Sequence, residues 1–550
     1  METEKSTTGL TNCAAGNCRI DASPDGGFIR KRLLLAVVLM GASLTLFLWG
    51  AGGISYGNSV HRTPRIVTAN AQFYPTFGTP NDALITDDGA NVLVSVTGET
   101  TPCPNKPSPP PTTFTTGVQV FSTSDFHTNP CGGQQVINFP TSGGLNAVGH
   151  VDGMQFFPGS PQVSVGAAIE RQGAEFFRLA SLTEPCGMDG VIQVPQLPIM
   201  NCRDCPNCAP GTFDVAVTPD GNYAFVANEY GRMPSPTPAT ETGGGTIGVI
   251  HVVRDGAGRF TGTKPVEPNN TIYIPGGNTI PGITMSHDGR YLYAACEGSA
   301  PGINPDDETV YRDPTNVRWT RNGVVLCPGC RRNVDYRQRP IGNACDNSSN
   351  GYPYSQNGLL AVIDVDMATK GMGQDSIVTI IAAGCSPVRA VETQDGQYVW
   401  VAARGRNTQL PLPTDPDARG FQVLGFNRSA LVSASPNSAF VGYGDTHGTG
   451  PVGIALFNSD TLLAVANSNR FWQSGSECSA PSPPPGVPPC TANVAIMDVT
   501  NPAAPTVIQT VPAFSNDAFP RNVTVGPDDS TLYVPNADQN QLEVITTTAH

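Results

Sequence analysis

Basic residues are scarce: 31 Lys and Arg stand against 45 Asp and Glu in 550 residues, a formal net charge of −14. That balance argues against nucleic acid and against anionic membrane surfaces as ligands of the folded part. Histidine is scarcer, seven in all, with His61 and His550 near the ends of the folded part. No histidine pair has metal-ligand spacing, no Gly-x-Ser-x-Gly nucleophile elbow occurs, and no phosphate-cradling loop follows a strand and opens a helix. The glycine-rich TETGGGT at 240–246 reads as a tight linker. No cofactor is expected. Charged residues make up only 14% of the chain, while 60 Gly and 51 Pro are present, a composition that fits a loop-rich all-β protein.

Long apolar runs are also missing, with one exception. Arg30-Lys31-Arg32 precede a charge-free run of 21 residues at 33–53, which at about 1.5 Å rise per residue spans a ~30 Å hydrocarbon core. No further Lys or Arg follows until Arg62, so the positive-inside rule places the N-terminus in the cytoplasm and the rest outside. The expected order is a disordered cytoplasmic tail (1–29), an N-terminal transmembrane helix (30–53) and an extracytoplasmic domain (62–550). A cleaved signal peptide, which would make the protein secreted, needs an n-region of 32 residues, and the retained single-pass anchor is the favoured reading. Contact with the membrane is expected through 33–53 only.

What the chain does contain is a repeated corner. The stretch FDVAVTPDGNYAFVANEY around Pro219-Asp220-Gly221 carries period-two alternation on both sides of an Asp-Gly turn, a β-hairpin signal. Related corners are centred on residues 88, 159, 220, 288, 395, 459 and 528, at intervals of 71, 61, 68, 107, 64 and 69 residues. Near-regular strand-turn-strand units that cannot cover their own faces point to radial repetition. The fold class expected is all-β, a seven-bladed β-propeller of four-stranded antiparallel blades. Three strands at the C-terminal end and one at 65–68 would complete the last blade, the N-terminal strand serving as an outer clasp.

The pattern P-x-x-hydrophobic-A-x-[ST]-x-D-G-x-x-hydrophobic-aromatic-V-A-N, with Pro80, Pro387, Pro451 and Pro520 eight residues before the middle of their corners, resembles the YVTN-repeat propellers. It is also similar to lactonase-type seven-bladed propellers. The match covers roughly residues 62–550. That resemblance implies the fold, and it implies a channel mouth where arginines hold a carboxylate and a His or Glu moves a proton. Fold alone does not fix function.

Insertions are expected at 100–131, 298–357 and 474–490. The first and third carry proline-rich tracts, KPSPPP and SAPSPPP, which favour exposed polyproline II loops. The second, rich in Arg, Tyr and Trp, reads as a lid over the face where inner strands begin. Of 15 cysteines, 13 follow the apolar run, which suits an oxidising compartment. Disulfide candidates are Cys103 with Cys131, Cys478 with Cys490, the set Cys202, Cys205 and Cys208 with Cys186 as a partner, and Cys327, Cys330 and Cys345, with Cys296 and Cys385 within reach of the lid. The C-x-x-C spacings also describe half a zinc site, but no histidine is near and no metal is expected. Glycosylation sequons stand at Asn269, Asn347 and Asn427, with a fourth at Asn522 set aside because it falls in an inner strand.

Six residues before each corner centre, the chain presents Asp82, Gly153, Asp214, Gly282, Arg389, Gly453 and Asn522. Acids on the early repeats and arginines on the late ones polarise the mouth. Two readings follow. In the first, the charges are solvated or paired between blades and the insert-bearing face binds a small molecule or protein without turnover. In the second, Asp82, Arg389, Arg404 and Arg521 bind a carboxylate-bearing substrate while His150, Asp214 or Glu229 carries the proton, as in a lactonase or a lactonizing enzyme. A monomer is expected in either case.

Overall fold

In the computed structural model the described residues are 67–76, 78–98, 115–124, 135–138, 151–158, 163–169, 173–179, 191–193, 212–228, 246–258, 260–274, 277–278, 280–299, 320–321, 324–325, 357–405, 422–433, 436–448, 450–468, 492–513 and 518–549. Residues Arg65–His550 form one compact unit. The expected tail and apolar run lie outside the described residues. No helix among the described residues is long and apolar enough to cross a membrane.

The fold is an all-β propeller. Among the described residues there are six four-stranded antiparallel sheets and one five-stranded sheet, with two further two-stranded ribbons. We number the large sheets 1 to 7 in chain order. Their second strands are Asn91–Gly98, Val163–Ile169, Tyr223–Asn228, Tyr291–Cys296, Tyr398–Ala403, Leu462–Asn467 and Thr531–Asn536, the runs that follow the corners in the sequence. Sheet 3 has the fifth strand, because two short strands, Phe260–Pro265 and Thr271–Tyr273, share the outer side of Thr246–Arg254.

The corners form as their residues dictate. The Thr218 hydroxyl donates to Asp220 Oδ1, which also accepts from Asn222 N, while Gly221 takes a positive φ of 67°. The same Ser/Thr-to-Asp bond closes the corners of sheets 1, 4 and 5. Sheets 6 and 7 depart from it. Asp460 and Asp529 occupy the left-handed position usually given to glycine, and each carboxylate reaches back to the preceding sheet. Asp460 Oδ2 accepts from Gln394 N at 2.5 Å, and Asp529 Oδ2 from Ser459 N at 2.6 Å. Asp529→Ala should therefore lower stability by about 1–3 kcal/mol, the value of a charge-assisted hydrogen bond. Asp529→Gly should lower it less, because glycine relieves the positive φ. Denaturant midpoints of both variants check the order.

The clasp exists but is displaced. The outer strand of sheet 7 is Val67–Pro75, not 65–68, and it pairs antiparallel with Gln541–Ala549 from Val67↔Ala549 to Pro75↔Gln541. Its exposed-buried alternation explains the shift: Val67 and Tyr74 are buried, while Thr68, Asn70 and Gln72 face out, so polar TANAQ is strand despite lacking a hydrophobic run. A second correction concerns 100–131. The third strand of sheet 1, Thr115–Ser122, lies inside that stretch, held by buried Val118, Val120 and Phe121.

Neighbouring sheets pack face to face in chain order. Phe225, Ile247, Leu292 and Ile363 join sheets 3 and 4. Ala464, Val494, Leu532 and Ile545 join sheets 6 and 7. Sheet 7 meets sheet 1 through Tyr533, Leu542, Val92 and Ala83, and Thr524 Oγ1 donates to Ala83 O at 2.6 Å across that seam. Cys296 is a buried free thiol in the core between sheets 3 and 4, so the expected reach toward the lid does not occur. Burial pushes its pKa up to about 12.

Candidate functional site

In sheets 1, 2, 3, 5 and 6 the residue eight places before the corner lies at the start of the inner strand and pairs near the end of the second strand, as in Pro387↔Ala403 and Pro451↔Asn467. A β-bulge follows at once, between Pro80 and Ala83, Val151 and Gly153, Thr212 and Asp214, Pro387 and Arg389, and Pro451 and Gly453. Bulges re-aim side chains. Here they sit beside Asp82, Asp214 and Arg389, each at the sixth place before its corner, and these side chains reach neighbouring sheets.

Sheets with a long residue at that place alternate with sheets carrying glycine, and the glycines leave the room. A Cβ on Gly153 would lie 2.3 Å from Asp214 Oδ1, and one on Gly282 would lie 2.3 Å from Val388 O. Asp82 accordingly reaches sheet 2, where its Oδ2 accepts from Met154 N at 2.7 Å. Asp214 reaches sheet 4, accepting from Ile283 N at 3.0 Å, and Arg389 of sheet 5 extends back past sheet 4 to Asp214 Oδ2 at 3.1 Å. Asn522 donates to Asp82 Oδ1 at 2.5 Å, closing the series between sheets 7 and 1.

The other arginines are engaged in the same way. Arg521 Nη2 lies 2.9 Å from Asp152 Oδ1 and its Nη1 donates to Asn81 Oδ1 at 3.0 Å, so one side chain of sheet 7 ties to sheets 1 and 2. It also stacks over Phe519, whose neighbours Val388, Val452 and Ala537 make this side of the mouth apolar. Arg404 pairs with Glu297 at 2.5 Å. The three guanidinium side chains are only 13–17% exposed.

Burial dominates the electrostatics. Asp214, 4% exposed, is raised to about 6 by desolvation, against the lowering effect of Arg389 and with Asp82 adding to the rise. Desolvation also raises Asp82 and Glu297, while Arg389 and Arg404 respectively oppose it.

Asp82, Asp214 and Arg389 therefore meet in one cluster, with Arg521 beside it and Arg404 in a separate pair. His150 and Glu229 lie outside the described residues. So do the disulfide candidates Cys103, Cys131, Cys202, Cys205, Cys208, Cys327, Cys330, Cys345, Cys478 and Cys490, and sequon Asn347. Asn269 is exposed and donates to Gly371 O, and Asn427 caps a short helix by accepting from Ala430 N. Among the described residues no group of three or more His, Cys, Asp or Glu could hold a metal.

Sequence reasoning missed Asn81, and it missed a second buried network at the corner end. Glu392 of sheet 5, 2% exposed, accepts from Tyr293 Oη at 2.8 Å, His287 N at 2.7 Å and Arg428 Nε at 3.0 Å. Arg428 also pairs with Asp288. Nearby, a cleft of about 820 Å³ is lined by Asp395, Asp460, Asp529 and Trp400. Its carboxylates already accept hydrogen bonds within or between corners.

No family model matches the chain, and no curated protein matches it. Among solved structures, hydrazine synthase of Kuenenia stuttgartiensis is similar at 12% identity and a TM-score of 0.45, over 87% of this chain and 98% of that one. The β-propeller domain of Cps50 (Swd1) from Myceliophteria thermophila is similar at 8% identity and a TM-score of 0.43, over 86% and 99%.

Proposed function

We propose that this chain is a seven-bladed propeller of the YVTN type, tethered outside the cytoplasm by 33–53, that binds a small molecule or protein on its insert-bearing face without turnover. One observation carries the choice of binding over catalysis. Arg389, Arg404 and Arg521 each lie against a carboxylate of another sheet: Asp214, Glu297 and Asp152. Guanidinium groups so engaged join sheets, and a substrate carboxylate would have to displace a buried partner to reach them. The face itself is favoured by connectivity. The longest stretches between second and third strands, such as those from Ser299 to Asn357 and from Asn467 to Asn493, all open at the end where inner strands begin.

The lactonase-like reading keeps one specific support: Asp214, near pH 6, titrates close to neutrality beside an arginine. A panel of aliphatic and aromatic lactones separates the two. The full chain is expected to show no hydrolysis above the buffer rate, and the double variant Arg389→Gln, Arg521→Gln is expected to lose thermal stability. Lactone turnover by the parent that vanishes in a folded double variant would overturn the binding reading.

A further inference from the structure

We propose that Glu543 is held as a neutral carboxylic acid, closed against Asn536 by two hydrogen bonds, and that loss of its proton weakens the seam where the clasp strand completes sheet 7. Glu543 is fully buried, with 0% exposure. Its Oε2 accepts from Asn536 Nδ2 at 2.9 Å. The two remaining oxygens of this bonded pair, Glu543 Oε1 and Asn536 Oδ1, are both buried and both without a partner. Two acceptors cannot satisfy each other, and each buried orphan is unfavourable. A single proton on Oε1 removes both defects, because the acid O–H then donates to the amide oxygen. The planar carboxyl and carboxamide groups thus complete a cyclic pair.

Among the described residues nothing else neutralises a charge there. Val534 and Ile545 share the face of the sheet with Glu543, and Phe73 of the clasp stands opposite it in register. That face packs on Ala464, Ala466 and Val494 of sheet 6. None of these titrates, and no ion pair to Glu543 occurs among the described residues. Burial lifts the carboxyl from its ordinary 4.5 to about 7, with the Asn536 hydrogen bond pulling the other way. Because the folded value lies above the unfolded one, the stabilising contribution is full below about pH 4.5 and is lost as pH rises toward 7.

Thermal unfolding of the full chain and of Glu543→Gln across pH 5 to 8.5 tests this. Glutamine offers an N–H to Asn536 Oδ1 and carries no titrating proton. The parent's folded-to-unfolded ratio, relative to the variant's, should fall about tenfold per pH unit up to pH 7 and level off above it. Parallel profiles for the two proteins would overturn the proposal. A second readout does not need the variant to fold: with ¹³C-glutamate labelling, one carboxyl resonance of the parent should titrate near neutrality. A parent in which every glutamate titrates in the ordinary acidic range would likewise overturn it.

Discussion

Glu392→Ala is expected to lower the unfolding free energy by about 3–5 kcal/mol, the range for stripping one partner from a buried ionic pair. The carboxylate is the common acceptor of a network that crosses from sheet 4 to sheet 5: the Tyr293 hydroxyl, the His287 backbone and the Arg428 guanidinium all point at it. Its removal leaves the Tyr293 Oη and the His287 N–H without an acceptor and leaves Arg428 with only the half-exposed Asp288. Arg428→Ala should be destabilising as well, and the double variant should lose less than the sum of the two, because each single change already breaks the shared bonds. Urea titrations of the parent, both single variants and the double variant check the size and the non-additivity. Additive losses would show that the two side chains act separately.

Asp214→Ala should be of similar size, again about 3–5 kcal/mol. Three donors depend on this carboxylate: Val215 N on its own strand, Ile283 N of sheet 4 and Arg389 of sheet 5. Asp214→Asn should lose less, since the amide oxygen still accepts, but it removes the counter-charge of Arg389. The sign of the pH effect follows from the raised carboxyl. Ionised Asp214 is the strained form, so its contribution to stability in the parent is greatest below pH 3.8 and declines as pH approaches 6. The Asn variant should lack that decline. Thermal midpoints at pH 4, 5, 6 and 7 for parent, Asn and Ala variants would reveal it, and identical pH profiles would place the titration elsewhere.

Much of the architecture was legible because it is local. The corners state their own geometry in Thr-x-Asp-Gly, and the apolar runs that follow them, such as NYAFVANE and RYLYAACE, mark second strands that are buried on both faces. The outer strands were not legible for a physical reason. Gln135–Asn138 and Val191–Gln193 are short, and Thr506–Pro512 buries little of its length, so edge strands leave a weak hydrophobic signature. The same weakness moved the clasp by several residues, because polar TANAQ pairs through its backbone rather than through a core face.

At the mouth, sequence spacing picked out residues that bond across sheets, but not their partners. Asp82 and Asn522 are 440 residues apart and Asp214 and Arg389 are 175 apart, and no local rule connects such pairs. The arginines lie on carboxylates of other sheets, which agrees with the reading of charges paired between blades and leaves the carboxylate-binding reading without a free guanidinium among Arg389, Arg404 and Arg521. Glu543 was invisible for the opposite reason. In QLEVITT it occupies an alternating place that reads as an ordinary strand position, and only the packing of sheet 6 against it reveals a buried acid.

The clasp also dictates an order of events. Val67–Pro75 has no ladder partner until Gln541–Ala549 has been synthesised, so a chain emerging from the ribosome carries an unmated strand while the residues between them are made. This pairing, about 480 residues apart in sequence, is the longest-range strand pairing among the described residues and a late step of folding. A deletion of 541–549 would leave Thr531–Asn536 with an exposed flank and Val67–Pro75 with nowhere to dock.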